Sequence, residues 1–157
     1  AGELATNWNS RIDPEHREAT LIYNRAVIQI YRGNYSGAAY DLYQHLNDFK
    51  AIEYKVGARV YLCRALWRSE QFEFLEDNLH AFTQFIYRNK EYFGERIQKY
   101  RKFSGYLSRI TTIRLGVENK VPRKMKKLLN EMDANGHTQM FRFLVKELKQ
   151  FADVKGS

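Results

Sequence analysis

Two histidines each follow a carboxylate by four residues, and these pairs have the spacing in this chain that comes nearest to supporting chemistry. Asp41 precedes His45, and Glu76 precedes His80. A carboxylate and an imidazole on one helix face could form half of a metal site or an acid–base couple. The same spacing is also common as a local pair that stabilises a helix surface. No third or fourth ligand stands at a recognisable spacing, so we predict neither a metal ion nor a cofactor.

Other patterns that carry catalysis are missing from the sequence. It contains no phosphate-binding loop of the GxGxxG or GxxxxGK[ST] type, no HExxH zinc motif and no GxSxG nucleophile. Cys63 is the only cysteine, which excludes an internal disulfide and a cysteine zinc site; its helical context predicts a small buried residue. We therefore expect a protein that is not an enzyme. The lack of disulfides fits a cytoplasmic location.

Positive charge is concentrated in the last third of the chain. Residues 97–157 hold 14 Lys and Arg against 5 Asp and Glu, whereas residues 1–96 hold 12 against 13. Basic residues interleaved with aromatics such as Tyr100 and Phe103 are one signature of nucleic-acid binding. These aromatics lie on an apolar stripe, which favours a core role, so nucleic acid is the alternative partner. The basic patch would comprise Arg101, Lys102, Arg123, Lys124, Lys126 and Lys127.

The elements that position these residues are predicted to be helices. Only nine glycines and two prolines occur, and both prolines stand where a helix would begin. No uncharged apolar run approaches the ~20 residues that a membrane span requires. Apolar residues recurring at i, i+3, i+4 and i+7 predict about seven helices. They cover approximately 14–32, 35–48, 51–69, 72–89, 92–115, 122–134 and 138–153.

A segment of the chain occurs twice at an offset of 37 residues. Residues 21–46 align without gaps to residues 58–83, and each copy places a polar turn and an aromatic between two helical stretches. A period of this size is typical of a helical solenoid, whose units cannot bury their apolar faces alone. We therefore predict a single helical-repeat domain over 1–157. It would contain repeats at 14–48 and 51–89, a long helix at 92–116 and a C-terminal hairpin at 122–153.

The repeated segment resembles a divergent tetratricopeptide repeat. The similarity rests on small or apolar residues and one aromatic at matched positions: Ala26 and Cys63, Ile28 and Ala65, Tyr35 and Phe72, Ala38 and Leu75, Leu42 and Leu79. The period of 37 differs from the family's 34, the first-helix Trp-Leu pair is missing, and no proline ends a unit. The resemblance implies a right-handed stack of antiparallel helix hairpins.

A second resemblance concerns residues 61–90 and the aromatic-rich helix that follows them. This stretch looks like the C-terminal segment of large, uncharacterised Bacteroidetes repeat proteins, and the likeness covers about 15–150. It implies a fold but no activity. The chain starts with Ala1 rather than Met, and we expect a fragment of a longer repeat protein.

In tetratricopeptide-like stacks the first helix of each pair lines a concave groove, which predicts where a protein partner would bind. Trp67 and Tyr23 would anchor a peptide or helix, and Arg64 and Arg68 would pair with its acidic groups. The open alternatives are that Ile30 and Trp67 pack against a neighbouring repeat, or that the chain caps the preceding repeats of its own full-length protein. The predicted groove residues are Tyr23, Val27, Ile30, Tyr31, Val60, Arg64, Trp67 and Arg68.

Overall fold

The structure, a computed structural model, describes residues 14–116 and 121–134 together with positions 142, 145, 146 and 149. All regular structure in these residues is helical and none of it is strand, which confirms the predicted all-α class. The chain is divided into two compact units, with the boundary between Leu75 and Glu76. The first unit ends, and the second begins, within one helix. The arrangement of the helices as one repeat domain stays a prediction.

The described residues of the first unit, 14–75, form three complete helices and the start of a fourth. They are α1 (Pro14–Tyr31), α2 (Tyr35–His45), α3 (Ile52–Arg68) and α4 (Phe72–Arg88). Helix α2 ends three residues before its predicted end, because the chain turns there. The Asp48 N–H donates to the His45 carbonyl at 3.0 Å, and the Asp48 carboxylate lies 2.7 Å from Nδ1 of the same histidine.

Between residues 76 and 134, the part of the second unit that the structure describes forms the rest of α4 and three further α-helices. They are α5 (Lys90–Phe93), α6 (Ile97–Leu115) and α7 (Val121–Ala134), with a 3-10 turn over Gly94–Arg96. The prediction of one continuous helix from 92 was wrong. Gly94 has φ +50° and ψ −125°, a conformation outside the helical region that glycine adopts without a steric penalty, so α6 begins only at Ile97. The predicted helix at 138–153 falls mostly outside the described residues.

The turn between α1 and α2 is a Schellman motif. Gly33 adopts the left-handed conformation at φ +82°. Its N–H donates to the Ile30 carbonyl at 3.1 Å, and the Asn34 N–H donates to the Gln29 carbonyl at 2.8 Å. These two bonds satisfy carbonyls at the end of α1 that have no partner within the helix.

The turn between α3 and α4 repeats this geometry at the offset of 37. Glu70 matches Gly33 and has φ +59°. The Glu70 N–H donates to the Trp67 carbonyl at 3.1 Å, and the Gln71 N–H donates to the Leu66 carbonyl at 3.0 Å. Both copies of the sequence segment therefore end their first helix with the same backbone motif, although only the first copy has glycine at the left-handed position.

Glu70→Gly should raise the free energy of unfolding, since a non-glycine residue in the left-handed conformation is strained by about 1 kcal/mol. Gly33→Ala, at the matched position of the first turn, should lower it by a similar amount. Urea unfolding followed by circular dichroism measures both. If Glu70→Gly destabilised the protein, the contacts made by the Glu70 side chain would outweigh the backbone strain.

The predicted small residues lie in the core of the first unit. Ala26 and Cys63 are fully buried, which confirms the prediction for the cysteine. The core residues of this unit recur at helical spacing, and large side chains such as Phe49 and Leu62 lie beside alanines. Small residues let helix axes approach closely, and larger ones fill the space that remains.

Candidate partner-binding site

A cluster of aromatic rings joins α1 to α3 in the first unit. The Tyr23 ring contacts three others edge to face: Tyr54 at 5.0 Å, Tyr61 at 5.9 Å and Phe49 at 6.0 Å between ring centroids. Edge-to-face pairs each stabilise packing by about 0.5–1.5 kcal/mol beyond the area that they bury. The Tyr23 side chain is thus held in place by its contacts with three other rings and by its own helix.

Gly57 provides the space in which the Tyr23 ring lies. A Cβ atom at Gly57 would meet the Tyr23 hydroxyl directly and would lie 3.2 Å from Cζ of the same ring. Glycine inside a helix normally weakens it by up to about 1 kcal/mol relative to alanine. The sequence analysis did not identify Gly57 as a packing residue, although it stands one helical turn before Tyr61.

Gly57→Ala should therefore destabilise the protein by about 1–2 kcal/mol, because displacing Tyr23 outweighs the gain in helix propensity. Gly105→Ala in α6 is the matched control. A Cβ there meets nothing within 4 Å, so this change should stabilise the protein by about 0.5–1 kcal/mol. Thermal unfolding of the two variants should move in opposite directions. A stabilising Gly57→Ala would contradict the proposed packing.

Burial raises the pKa of the Tyr23 hydroxyl from 10.0 to about 12, with smaller contributions from Tyr61 and Tyr54. A raised pKa in the folded state means that the neutral form is favoured there. The resulting stabilisation is present below pH 10 and is lost as the pH rises towards 12.

In Tyr23→Phe the free energy of unfolding should accordingly fall less steeply between about pH 10 and 12, because this variant lacks the Tyr23 contribution that wild type loses there. Urea unfolding at several alkaline pH values measures this slope. Tyr40→Phe serves as the control, since Tyr40 is an exposed tyrosine on α2, and it should keep the wild-type slope. Equal slopes for wild type and Tyr23→Phe would refute the assignment to Tyr23.

A second group of side chains continues from this cluster to the surface, and we call it the tyrosine–arginine face. The Arg64 guanidinium lies 5.9 Å from the centre of the Tyr31 ring, and that of Arg68 lies 5.3 Å from the Tyr35 ring. Tyr61 contacts Tyr31; burial raises the pKa of Tyr61, Tyr31 raises it further, and the Arg64 charge lowers it. The face comprises Tyr31, Tyr35, Tyr61, Arg64 and Arg68.

Part of the predicted groove lies on this face. Tyr31, Arg64 and Arg68 belong to it, and Tyr31 is 72% exposed. Tyr23 and Val27 precede Tyr31 by two turns and one turn on α1 and are half-buried.

The prediction that Ile30 and Trp67 contact a partner is not supported by their positions, because both are core residues. They are 2% and 7% exposed. Trp67 packs edge-on against Phe72 of the same chain, with 5.3 Å between the ring centroids. Phe72 therefore takes the place of the neighbouring repeat against which Trp67 was expected to pack. A side chain with so little exposed surface cannot anchor a peptide, whereas Tyr31 is exposed.

The Asp41 and His45 side chains bond to other residues rather than to each other, and His80 Nε2 lies 3.2 Å from Gln84 Nε2. Asp41 accepts hydrogen bonds from Arg25 Nε at 3.2 Å and from Gln29 Nε2 at 2.9 Å, which fix α2 to α1. His45 pairs instead with Asp48. Among the described residues, no group of three or more His, Cys, Asp or Glu side chains is arranged to hold a metal ion.

The six residues of the predicted basic patch are all exposed. Arg101 and Lys102 stand in the first half of α6, whereas the other four stand in the first half of α7. A 2.7 Å ion pair between Arg109 and Glu131 joins the two helices.

The tyrosine–arginine face includes residues that the sequence analysis passed over, namely Tyr35 and Tyr61. A signal for Tyr61 is present in the sequence. Helix α3 carries a continuous stripe at spacings of three and four residues, which ends in both arginines of the face: Tyr54, Gly57, Tyr61, Arg64 and Arg68. Such a stripe alone does not reveal whether it is buried or exposed, because its residue types are found in both settings.

None of the described helices has the length and apolar character that crossing a bilayer requires. Comparisons with protein-family models, with curated proteins and with solved structures find no match. The function is therefore argued from the residues of this chain alone.

Proposed function

We propose that this chain is a non-enzymatic protein-interaction module that captures a segment of a partner protein on its tyrosine–arginine face. The observation that carries the proposal is the exposed Tyr31 ring, held beside the Arg64 guanidinium at 5.9 Å. A second such pair, Tyr35 with Arg68, lies one helical turn further along α3. Tyrosine and arginine are among the residues that dominate the binding energy of protein interfaces.

The packing beneath the face supports this role. Tyr61 lies between Tyr23 in the half-buried cluster and Tyr31 at the surface. Arginines stacked on aromatic rings lose less conformational freedom when a carboxylate binds. Binding to a preformed surface of this kind avoids part of the entropy loss that weakens flexible sites.

The proposal includes the architecture that the resemblance implied. The matched turns after α1 and α3 support a repeated helix hairpin. The proposal adds a right-handed, tetratricopeptide-like stack of such hairpins and a cytoplasmic location. The partner would be another protein, or the preceding repeats of the same full-length chain. A bacterial two-hybrid assay between this chain and those repeats, if they exist, would separate the two.

Affinity capture from cells of the source organism tests the function. Arg64→Glu/Arg68→Glu should reduce recovery of a specific protein by about tenfold or more, since reversing two interface charges weakens binding by over 1.4 kcal/mol. Arg123→Glu/Lys124→Glu is the matched control and should leave recovery unchanged. Nuclease treatment should have no effect. Partners that bind both variants equally would refute the role of the face.

The alternative function is nucleic-acid binding by the basic residues of α7. The observation in its favour is that Arg123, Lys124, Lys126 and Lys127 are all exposed, while Met125 and Leu128 hold the helix in the core. If a labelled oligonucleotide bound, its affinity should fall steeply with salt and on neutralising these residues. Material lost from the capture experiment on nuclease treatment would favour this function over the first.

A further inference from the structure

Helix α3 is buried on two faces, whereas its counterpart α1 is buried on one. The buried residues common to both helices, at the offset of 37, are Ala19 and Val56, Ala26 and Cys63, and Ile30 and Trp67. Helix α3 has a further buried face, formed by Ala58, Leu62 and Ala65, which are 0% exposed. At 100° per residue, these three side chains lie within about 60° of one another around the helix. One neighbouring element can therefore cover all three.

The helix hairpin of α1 and α2 covers this further face of α3. A Cβ atom at Gly57, next to Ala58, would meet the Tyr23 ring of α1. The Arg68 guanidinium, one turn after Ala65, lies 5.3 Å from the Tyr35 ring of α2. Helix α2 packs against both α1 and α3. The further face of α3 is thus the surface that receives the hairpin preceding it in the chain.

The matching surface of α1 is exposed, and we call it the α1 face. It consists of Leu21, Arg25 and Ile28, which match Ala58, Leu62 and Ala65. Leu21 is 54% exposed and Ile28 is 49% exposed. Arg25 is bonded to Asp41 within its own hairpin, so Leu21 and Ile28 provide the apolar part of the face. The same place in the repeat is therefore buried in the second copy and exposed in the first.

We infer that the α1 face receives a further helix hairpin, a repeat unit that precedes α1 in the full-length protein and packs on α1 as the hairpin of α1 and α2 packs on α3. Its second helix would lie along Leu21 and Ile28, in the place that α2 takes beside α3. Because these side chains are larger than Ala58 and Ala65, the covering helix should carry small residues opposite them. The inference rests on the repeat architecture within the proposed function, and not on capture by the tyrosine–arginine face.

The comparison between the two copies favours this occupant over others. An unrelated protein would leave unexplained why the exposed apolar residues of α1 fall at the positions that α3 buries. A second copy of this chain would have to offer a helix like α2, but the surface of α2 that receives a first helix is already covered by α3. Tyr31 would stay available to a partner, because Arg68, which matches it, is exposed on α3 even beside α2.

Thiol labelling of cysteine variants in this chain and in the full-length protein tests the inference. Cys63 is fully buried and adds little background. In this chain Leu21→Cys should label fast and Ala58→Cys slowly, since α3 is already covered there. In the full-length protein Leu21→Cys should label at least about tenfold more slowly, because the reagent then needs a local opening. The control Tyr40→Cys, at a residue of α2 that is 66% exposed, should label equally fast in both proteins.

The outcomes separate the inference from partner capture. Deleting the repeat unit before α1 from the full-length protein should restore fast labelling of Leu21→Cys. Protection that survives this deletion would overturn the proposed occupant, as would fast labelling in the intact full-length protein or a gene that encodes no repeat unit before this chain. None of these results changes the effect of Arg64→Glu/Arg68→Glu on capture. A protected Leu21→Cys with capture insensitive to the two arginines would refute the capture function alone.

Discussion

Replacing Trp67 with alanine should lower the free energy of unfolding by about 3–5 kcal/mol, the range measured for buried Trp and Phe truncations. Trp67 is 7% exposed and packs edge-on against Phe72. Its carbonyl also accepts the Glu70 N–H in the turn that leads to α4. Native domains are stable by only about 5–15 kcal/mol, so this one change would remove much of the stability.

The control for this variant is Tyr31→Ala, which should change stability by no more than about 0.5 kcal/mol because its ring is exposed. Urea unfolding measures both, and recovery of the partner by affinity capture gives the second readout. Tyr31→Ala should lose binding while it stays folded, whereas Trp67→Ala should lose binding only to the extent that it unfolds. A stable Trp67→Ala with weakened binding would restore Trp67 as a partner anchor.

Phe82→Ala should have an effect of similar size in the second unit, a loss of about 3–5 kcal/mol. Phe82 is fully buried and contacts two rings of α6, those of Tyr100 and Phe103, each at 6.5 Å between centroids. Truncation would leave a cavity at the contact between α4 and α6. The surrounding aromatic rings are too rigid to fill such a space.

Phe74→Ala tests whether the effect of Phe82→Ala reflects burial rather than residue type. Both phenylalanines stand on α4, but Phe74 is 59% exposed. Its truncation should change stability by less than about 0.5 kcal/mol. Chemical denaturation followed by circular dichroism at 222 nm, near the helical minimum, compares the two. Equal losses would mean that the burial of Phe82 contributes little.

Helix positions were largely predictable from the sequence because breakers mark them. Gly33 ends α1, and the alignment at an offset of 37 transfers this turn to Glu70, where the structure has the same two hydrogen bonds. The strain at Glu70 was not predictable, since Glu usually avoids this conformation. The predicted helix start at 92 was wrong because Gly94 adopts a conformation that stops the helix.

The candidate site was predictable only in part. The offset placed Tyr31, Arg64 and Arg68 on the first helices of the two copies, and the structure places them on one face. The offset alone could not distinguish these three residues from Trp67, which lies on the same helix as Arg64 but is buried in the core. One residue along a helix corresponds to 100° of rotation, so an uncertainty of one residue in register is enough to exchange core and surface.

By itself, the sequence determined the all-α class, the repeated turn and the absence of a recognisable catalytic motif, because each depends on residues close together in the chain. Only the tertiary structure decided which tyrosine side chains are packed and which are exposed to solvent. Tyr23 fits against Gly57 because α1 and α3 approach there, while Tyr31, the last residue of α1, is 72% exposed. Burial depends on neighbours distant in sequence, and local periodicity does not encode them.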